Sequence, residues 1–136
     1  MEEVLLERPA ISETQRNVQS YFDTHDVQYV AEDAVFTLMS TGDKYVSREG
    51  VRGLINFFYH IAFDAKAEIK NTLITENKAF LEMNFVGKHI SEFAGLQPTN
   101  RDVNVPMCVI YDLRNGLIQN ARIYMPNDLL IKQLTS

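Results

Sequence analysis

The chain has 136 residues, of which 46% are hydrophobic and 23% charged, and a formal net charge of -5 at pH 7. That balance suits a single globular domain, residues 1–136, with enough apolar material for a core that needs no disulfide or metal staple. No basic stripe of the kind that displaces counterions from phosphates is present, so nucleic acid is not an expected partner.

Apolar runs are only a few residues long, which argues against a membrane span. Met1-Glu2-Glu3 lacks the basic start of a signal peptide. Cys108 is the single cysteine, so no intrachain disulfide can form. These features set a cytoplasmic location as the expectation.

Residues 1–10, with Pro9, read as a loose lead-in. Ser12 then opens a helix, with Ser12 and Gln15 spaced as a capping box. Val18, Tyr21 and Phe22 follow at helical spacing, and the helix fades near His25-Asp26. Ala34 to Met39 is rich in strand formers, and Thr41-Gly42-Asp43 is a turn. Ser47 is a good N-cap for a second helix, with Glu49 near its positive end. Val51, Leu54, Ile55, Phe58 and Ala62 line one face of that helix, and Phe57, Tyr59 and Phe63 widen the apolar stripe.

The second half reads as strands: Ala67 to Thr75, Ala79 to His89, Val103 to Leu113 and Leu117 to Met125. A long loop, Ser91 to Arg101, interrupts them. Alternation puts Leu81, Met83, Phe85, Gly87 and His89 on one face. In the last hairpin, a two-residue loop at Asn115-Gly116 would set odd positions against even ones. A three-residue loop, Arg114-Asn115-Gly116, pairs Leu113 with Leu117 and gathers Val103, Val105, Met107, Val109 and Tyr111 with Ala121, Ile123 and Met125. Pro106 cannot donate to a ladder and marks an edge or bulge. The opposite face, which includes Cys108, Ile110, Ile118, Arg122 and Tyr124, carries enough apolar surface to suggest a homodimer contact.

Two helical segments before a strongly hairpinned sheet resemble the nuclear transport factor 2-like superfamily, and three stretches resemble its SnoaL-like polyketide cyclase branch. Gly87 to Arg101, GKHISEFAGLQPTNR, is similar to that family's GxHxGxFxGxPPTGR segment. Asn115-Gly116-Leu117-Ile118 is similar to its DGKI turn. Arg122-Ile123-Tyr124 with Gln133-Leu134 is similar to its closing R-x-[WY]…QL segment. The resemblance implies an α+β cone, with N-terminal helices packed on a strongly bent, mostly antiparallel sheet that encloses a pocket.

The resemblance also implies ring closure of a polyketide ester by an aldol-type step, or isomerisation or dehydration as in relatives, without a cofactor. It places a pocket acid directly after the arginine of the closing segment, where this chain has Ile123. A polar residue of the first strand corresponds to Phe36, and a histidine and glutamine of a late strand correspond to Val109 and Met107. None of these four side chains can accept a proton or stabilise an enolate.

His89 is the surviving candidate for proton transfer, with Asp33 as an assisting base. Their competing roles are a hydrogen-bonded histidine that anchors the long loop and an aspartate that turns the chain. Tyr59 and Tyr111 can hydrogen-bond a carbonyl in the pocket or serve as core aromatics. Asp128 reads as a helix cap or a late-placed acid, Arg101 as a loop salt bridge or an anion contact, and Arg122, on the outer face, as a structural or dimer residue. The histidines and Cys108 lack metal-ligand spacing. The expected ligand wall is Phe36, Tyr59, Met107, Val109, Tyr111 and Ile123. The functional expectation is therefore a SnoaL-like protein that binds a small, largely apolar molecule and acts on it by acid–base chemistry; the alternative is a binding or scaffold protein without catalysis.

Overall fold

The structure, a computed structural model, describes the backbone of residues 2–136 and the side chains from residue 13 onward. Helix α1 spans Glu2–Thr24. It takes in residues 2–10, which read from sequence as a lead-in; Met1 lies outside the described residues. The run Glu2 to Arg8 is made largely of good helix formers. Pro9 removes one intrahelical hydrogen bond without ending the helix. Ser12 is therefore inside α1 and not at its start.

After a short 3-10 turn at Val27–Tyr29, strand β1 (Val30–Leu38) and strand β2 (Lys44–Val46) pair antiparallel. β1 begins four residues before the alternating segment, because Val30 and Ala31 are both buried and break the period-2 signal. Helix α2 (Ser47–Asn56) continues into a π-helical turn, Phe57–Ile61. Ser47 adopts φ 75, and its Oγ accepts the Gly50 N–H at 3.2 Å, the bond of a capping side chain.

Strands β3 (Phe63–Ile74), β4 (Lys78–His89), β5 (Asp102–Arg114) and β6 (Leu117–Tyr124) follow, and helix α3 (Asn127–Thr135) closes the chain. Phe63 opens β3 instead of extending the second helix. The strands form one six-stranded sheet in the order β2-β1-β6-β5-β4-β3. All neighbours are antiparallel except β1 and β6. The sheet curls without closing, and its inner face packs on Val18, Tyr21 and Phe22 of α1 and on Val51 and Leu54 of α2. This is the expected α+β cone.

The inner face follows strict alternation along β5, where Val103, Val105, Met107, Val109, Tyr111 and Leu113 are all buried. Gly87 lets β3 lie tightly on β4: a Cβ there would stand 2.5 Å from both the Ala65 Cβ and the Asp64 carbonyl oxygen. The final hairpin differs from expectation in how it keeps its register. Its loop has two residues, with Asn115 at φ 54 and Gly116 at φ 76, the signs of a type I′ turn. Arg114 pairs with Leu117 and Leu113 with Ile118, and then Gln119 bulges. Beyond the bulge Tyr111 faces Ala121 and Val109 faces Ile123. The parity of the expected face is thus achieved by a bulge and not by a longer loop. As a consequence Ile118 is fully buried on the inner side, and it does not belong to the outer face that sequence alternation assigns it to.

β5 extends past the end of β6, whose last paired residue, Tyr124, faces Cys108. Pro106 lies in this overhang, where the missing N–H has no neighbouring strand to serve. Helix α3 occupies the vacated place. Gln133 Oε1 accepts the Asn104 N–H at 2.8 Å, and its Nε2 donates to the Asn104 carbonyl at 2.9 Å. Leu130 and Leu134 bury the inner side of the same helix. Among the described residues no helix is long and apolar enough to cross a membrane.

Candidate active site

The open end of the cone holds a cavity of about 60 Å³. By the space one water needs, that is room for roughly four to six waters. Its floor comes from alternate residues of the sheet: Phe36 and Leu38 on β1, Leu81, Met83 and Phe85 on β4, Met107, Val109 and Tyr111 on β5, and Ile123 on β6. Its roof is Leu54 and Ile55 of α2, Phe58 and Tyr59 of the π-helical turn, and Tyr21 and His25 from the end of α1. All six residues expected to form the ligand wall line it. Among the described residues no carboxylate does.

The π-helical turn aims part of this roof. The Ala62 N–H reaches back to the Phe57 carbonyl at 2.8 Å, an i→i+5 bond that widens the helix by one residue. Tyr59 is thereby buried, while His60 and Ile61 face solvent.

His25 enters the site through the way α1 ends. It adopts φ 57, a left-handed conformation at a position where glycine or asparagine is usual, and its N–H donates to the Tyr21 carbonyl at 2.7 Å. A non-glycine residue held in that region costs about 1–2 kcal/mol. The turn folds the imidazole back to 5.6 Å from the Tyr21 ring and 4.5 Å from the Tyr59 ring, centroid to centroid. Burial, with a smaller push from nearby His60, lowers its pKa to about 4. It is neutral at physiological pH and able to take up a proton.

Tyr21, Tyr59 and Tyr111 supply the other polar groups. The Tyr21 and Tyr111 rings stand 6.2 Å apart, edge to face. Burial raises the pKa of all three phenols. Tyr59 adds to the rise at Tyr21, and both Tyr21 and Tyr59 add to it at Tyr111. The hydroxyls therefore remain protonated donors. Together the four side chains give an otherwise greasy cavity three phenolic donors and one neutral imidazole.

His89 and Asp33 lie elsewhere. His89 is fully buried on β4, stacked 5.3 Å from Phe63, and is not among the cavity residues. Its Nδ1 accepts the Thr99 N–H at 3.1 Å and lies 3.0 Å from the Thr99 hydroxyl. Its backbone pairs with Arg101 and Asn100. These bonds pin the ends of the 90–101 segment. Accepting an N–H at Nδ1 leaves the ring proton on Nε2, which is buried without a partner among the described residues. Asp33 is exposed on β1. It accepts a hydrogen bond from Gln119 Nε2 at 3.1 Å and pairs with Arg114 at 3.7 Å, and these contacts hold its pKa below the usual carboxylate value. The two residues are not brought together.

The remaining candidates have structural partners. Arg122 and Lys78 both bind Asp112 on the outer face, holding that carboxyl at about 2. Arg101 donates to the carbonyl of Ser136. Asp128 sits in the first turn of α3 without making a side-chain cap, and Cys108 is exposed on the outer face. Among the described residues no cluster of three or more His, Cys, Asp or Glu is placed to hold a metal ion. His25 and Tyr21 escaped sequence reasoning as site residues. Their one local signal is spacing, since they stand one helical turn apart at the C-terminal end of α1.

The sequence model of the family described as SnoaL-like polyketide cyclase matches residues 13–134. The chain belongs to that family. SnoaL-like proteins also appear among the solved structures with the same fold. One from Jannaschia sp. CCS1 superposes with a TM-score of 0.83 at 13% identity, covering 94% of this chain and 95% of that one. IdmH, a candidate polyketide cyclase from Streptomyces antibioticus, has a TM-score of 0.70 at 25% identity over 92% of this chain and 98% of its own. AclR, a candidate hydroxylase from Streptomyces galilaeus, has a TM-score of 0.74 at 18% identity over 91% and 96%. A comparison with curated proteins found no match. In this SnoaL-like chain the positions that the family resemblance ties to chemistry, Phe36, Met107, Val109 and Ile123, do face the cavity, but with apolar side chains.

Proposed function

We propose that this SnoaL-like protein binds a small, largely apolar, polyketide-like molecule bearing a carbonyl or hydroxyl. It acts on that molecule by acid–base chemistry of the cyclisation, isomerisation or dehydration type. The observation that carries this reading is the convergence of Tyr21, His25, Tyr59 and Tyr111 on one apolar cavity. Protonated phenols can hold a carbonyl oxygen and stabilise the negative charge that develops when a neighbouring carbon loses its proton. The neutral imidazole of His25 is the available acceptor. Its low basicity in the empty site rises when an enolate forms beside it, because a nearby negative charge favours the imidazolium. The polyketide cyclase assignment of IdmH supports a polyketide-like ligand.

A second reading, a binding protein without catalysis, is favoured by the apolar side chains at Phe36, Met107, Val109 and Ile123 and by the lack of a cavity carboxylate among the described residues. A panel of aromatic polyketides, steroids and terpenoids separates the two. A ligand that binds selectively raises the melting temperature, and mass spectrometry of the same mixtures reports conversion. Turnover that falls by about 100-fold or more in His25→Ala, with binding retained, supports the enzyme. Binding without conversion supports the second reading, and a panel with no binder refutes both.

A further inference from the structure

The cavity of about 60 Å³ is small for a ligand site. It has room for roughly one aromatic ring, whereas pockets that hold drug-sized molecules run to roughly 300–1,000 Å³. A second space adjoins it. A surface groove of about 440 Å³ lies between the end of α1 and the α2–π-helical segment. His25 and Ile55 line both the groove and the cavity, and both side chains are half-buried. They form a partition between an apolar interior and a polar exterior. With the groove added, the space reaches the size of an ordinary ligand site.

The outer space has a different chemistry. Arg52, Asn56 and His60 recur every fourth residue along one edge of the groove, all exposed. Thr24 and Asp26 form the opposite edge. The charges at these edges are already engaged. Arg52 Nη2 donates to Glu49 Oε1 at 3.2 Å, and the two carboxylate oxygens of Asp26 accept from Gln28 at 3.0 and 2.8 Å. A carboxylate entering the groove meets Asp26, and an ammonium meets Arg52, each a like charge. A hydroxyl meets no such opposition. It both donates and accepts, and the side chains of Asn56 and His60 carry donor and acceptor alike.

We propose that cavity and groove form one two-part site for an amphipathic ligand. Its small, apolar, carbonyl-bearing end enters the cavity, and its uncharged, hydroxyl-bearing end lies in the groove against Asn56 and His60. This rests on the reading that the cavity takes a carbonyl-bearing apolar molecule, and it adds the part of the ligand that the cavity has no room for.

Calorimetric titration of the full chain tests it with 4-acetylphenoxy probes, which share one head and differ in the tail: methyl, β-glucosyl, carboxymethyl or 2-aminoethyl. The glucoside is expected to bind about tenfold more tightly than the methyl ether, the gain of one or two net hydrogen bonds. The two charged tails are expected to bind no more tightly than the methyl ether. Asn56→Leu with His60→Leu is expected to abolish the glucoside's gain and leave the methyl ether unchanged. Both positions are exposed, so the fold is expected to stand, with the melting temperature as the check. A glucoside no tighter than the methyl ether, a charged tail that matches or exceeds the glucoside, or a gain that survives the double variant would each overturn the two-part site, while binding of the methyl ether keeps the cavity reading in place. Failure of all four probes to bind also overturns the two-part site, and the cavity reading is then decided by its own ligand panel.

Discussion

The imidazole of His25 and the ring of Tyr59 stand 4.5 Å apart with their planes tilted by 41°, one carried by the last turn of α1 and the other by a π-helical turn. This contact closes the roof of the cavity and buries a titratable group. It makes stability depend on pH. His25 titrates at about 4 in the fold against an ordinary value of 6.5, so between those pH values the unfolded chain binds more protons than the native one. The contribution is complete above about pH 6.5 and falls as pH drops toward 4, amounting to about 3 kcal/mol over the window. Urea titrations at several pH values check this. His25→Gln is expected to flatten the slope in that window, and an unchanged slope would show that His25 is not buried in its neutral form.

His89→Ala is expected to act on stability first. The ring is fully buried, and it ties β4 to the 90–101 segment through Thr99. Losing the packing and the hydrogen bond is expected to cost about 2–4 kcal/mol, seen as a lower urea midpoint. A variant of full stability with no turnover would return the proton-carrier role to His89.

Gly87→Ala is expected to destabilise by about 1–3 kcal/mol, the range for overpacking. The new methyl meets the Asp64 carbonyl and the Ala65 Cβ at 2.5 Å, and backbone on an adjacent strand cannot move aside cheaply. Adding Ala65→Gly removes one of the three close contacts, leaving the Asp64 carbonyl and the backbone Cα of residue 65 at 2.6 Å, and is expected to recover only part of the loss. Thermal melts of the single and double variants decide whether the tight β3–β4 contact is the cause.

Gln133→Ala removes the side chain that completes the Asn104 backbone on the overhang of β5. Because Asn104 is exposed, water can replace the lost partner, and the expected cost is small, about 1 kcal/mol. The diagnostic change is local. Amide exchange at Asn104 is expected to accelerate while Val109, deep in the β4–β5 ladder, keeps its protection. Equal acceleration at both sites would show that Gln133 supports the whole sheet.

Much of the cavity wall was legible because β5 alternates without interruption from Val103 to Leu113. A period-2 pattern that long admits one inward face, and so Met107, Val109 and Tyr111 could be placed before their partners were known. The hairpin register was legible only in parity. A three-residue loop and a two-residue loop with a bulge put the same residues inside from Ala121 onward, and they differ only at Leu117, Ile118 and Gln119. His25 was not legible. Its position depends on a left-handed residue after α1 and on a π-helical turn some thirty residues later, and neither leaves a periodic trace. The start of α1 was not legible, because Pro9 is a helix breaker in sequence and only the run of helix formers from Glu2 to Arg8 carries the helix ahead of it.

The bulge at Gln119 also governs what the hairpin will tolerate in length. The side chain bonds to Asp33 at the outer surface, and the backbone of this residue is looped out of the ladder, so that Ala121 and Ile123 still face inward. Deleting it would leave a regular ladder with the same pairs, Leu113 with Ile118 and Asp112 with Asn120, and every following side chain of β6 on its present surface; flattening the bulge with the residue kept is what would turn Arg122 toward the cavity and Ile123 toward water. Such a deletion is expected to leave the apolar face covered, with unchanged binding of a fluorescent dye as the readout; a rise in bound dye would show that the pairs beyond the bulge had shifted. Gln119 is thus the one place in the hairpin where a residue can be lost without turning β6 over.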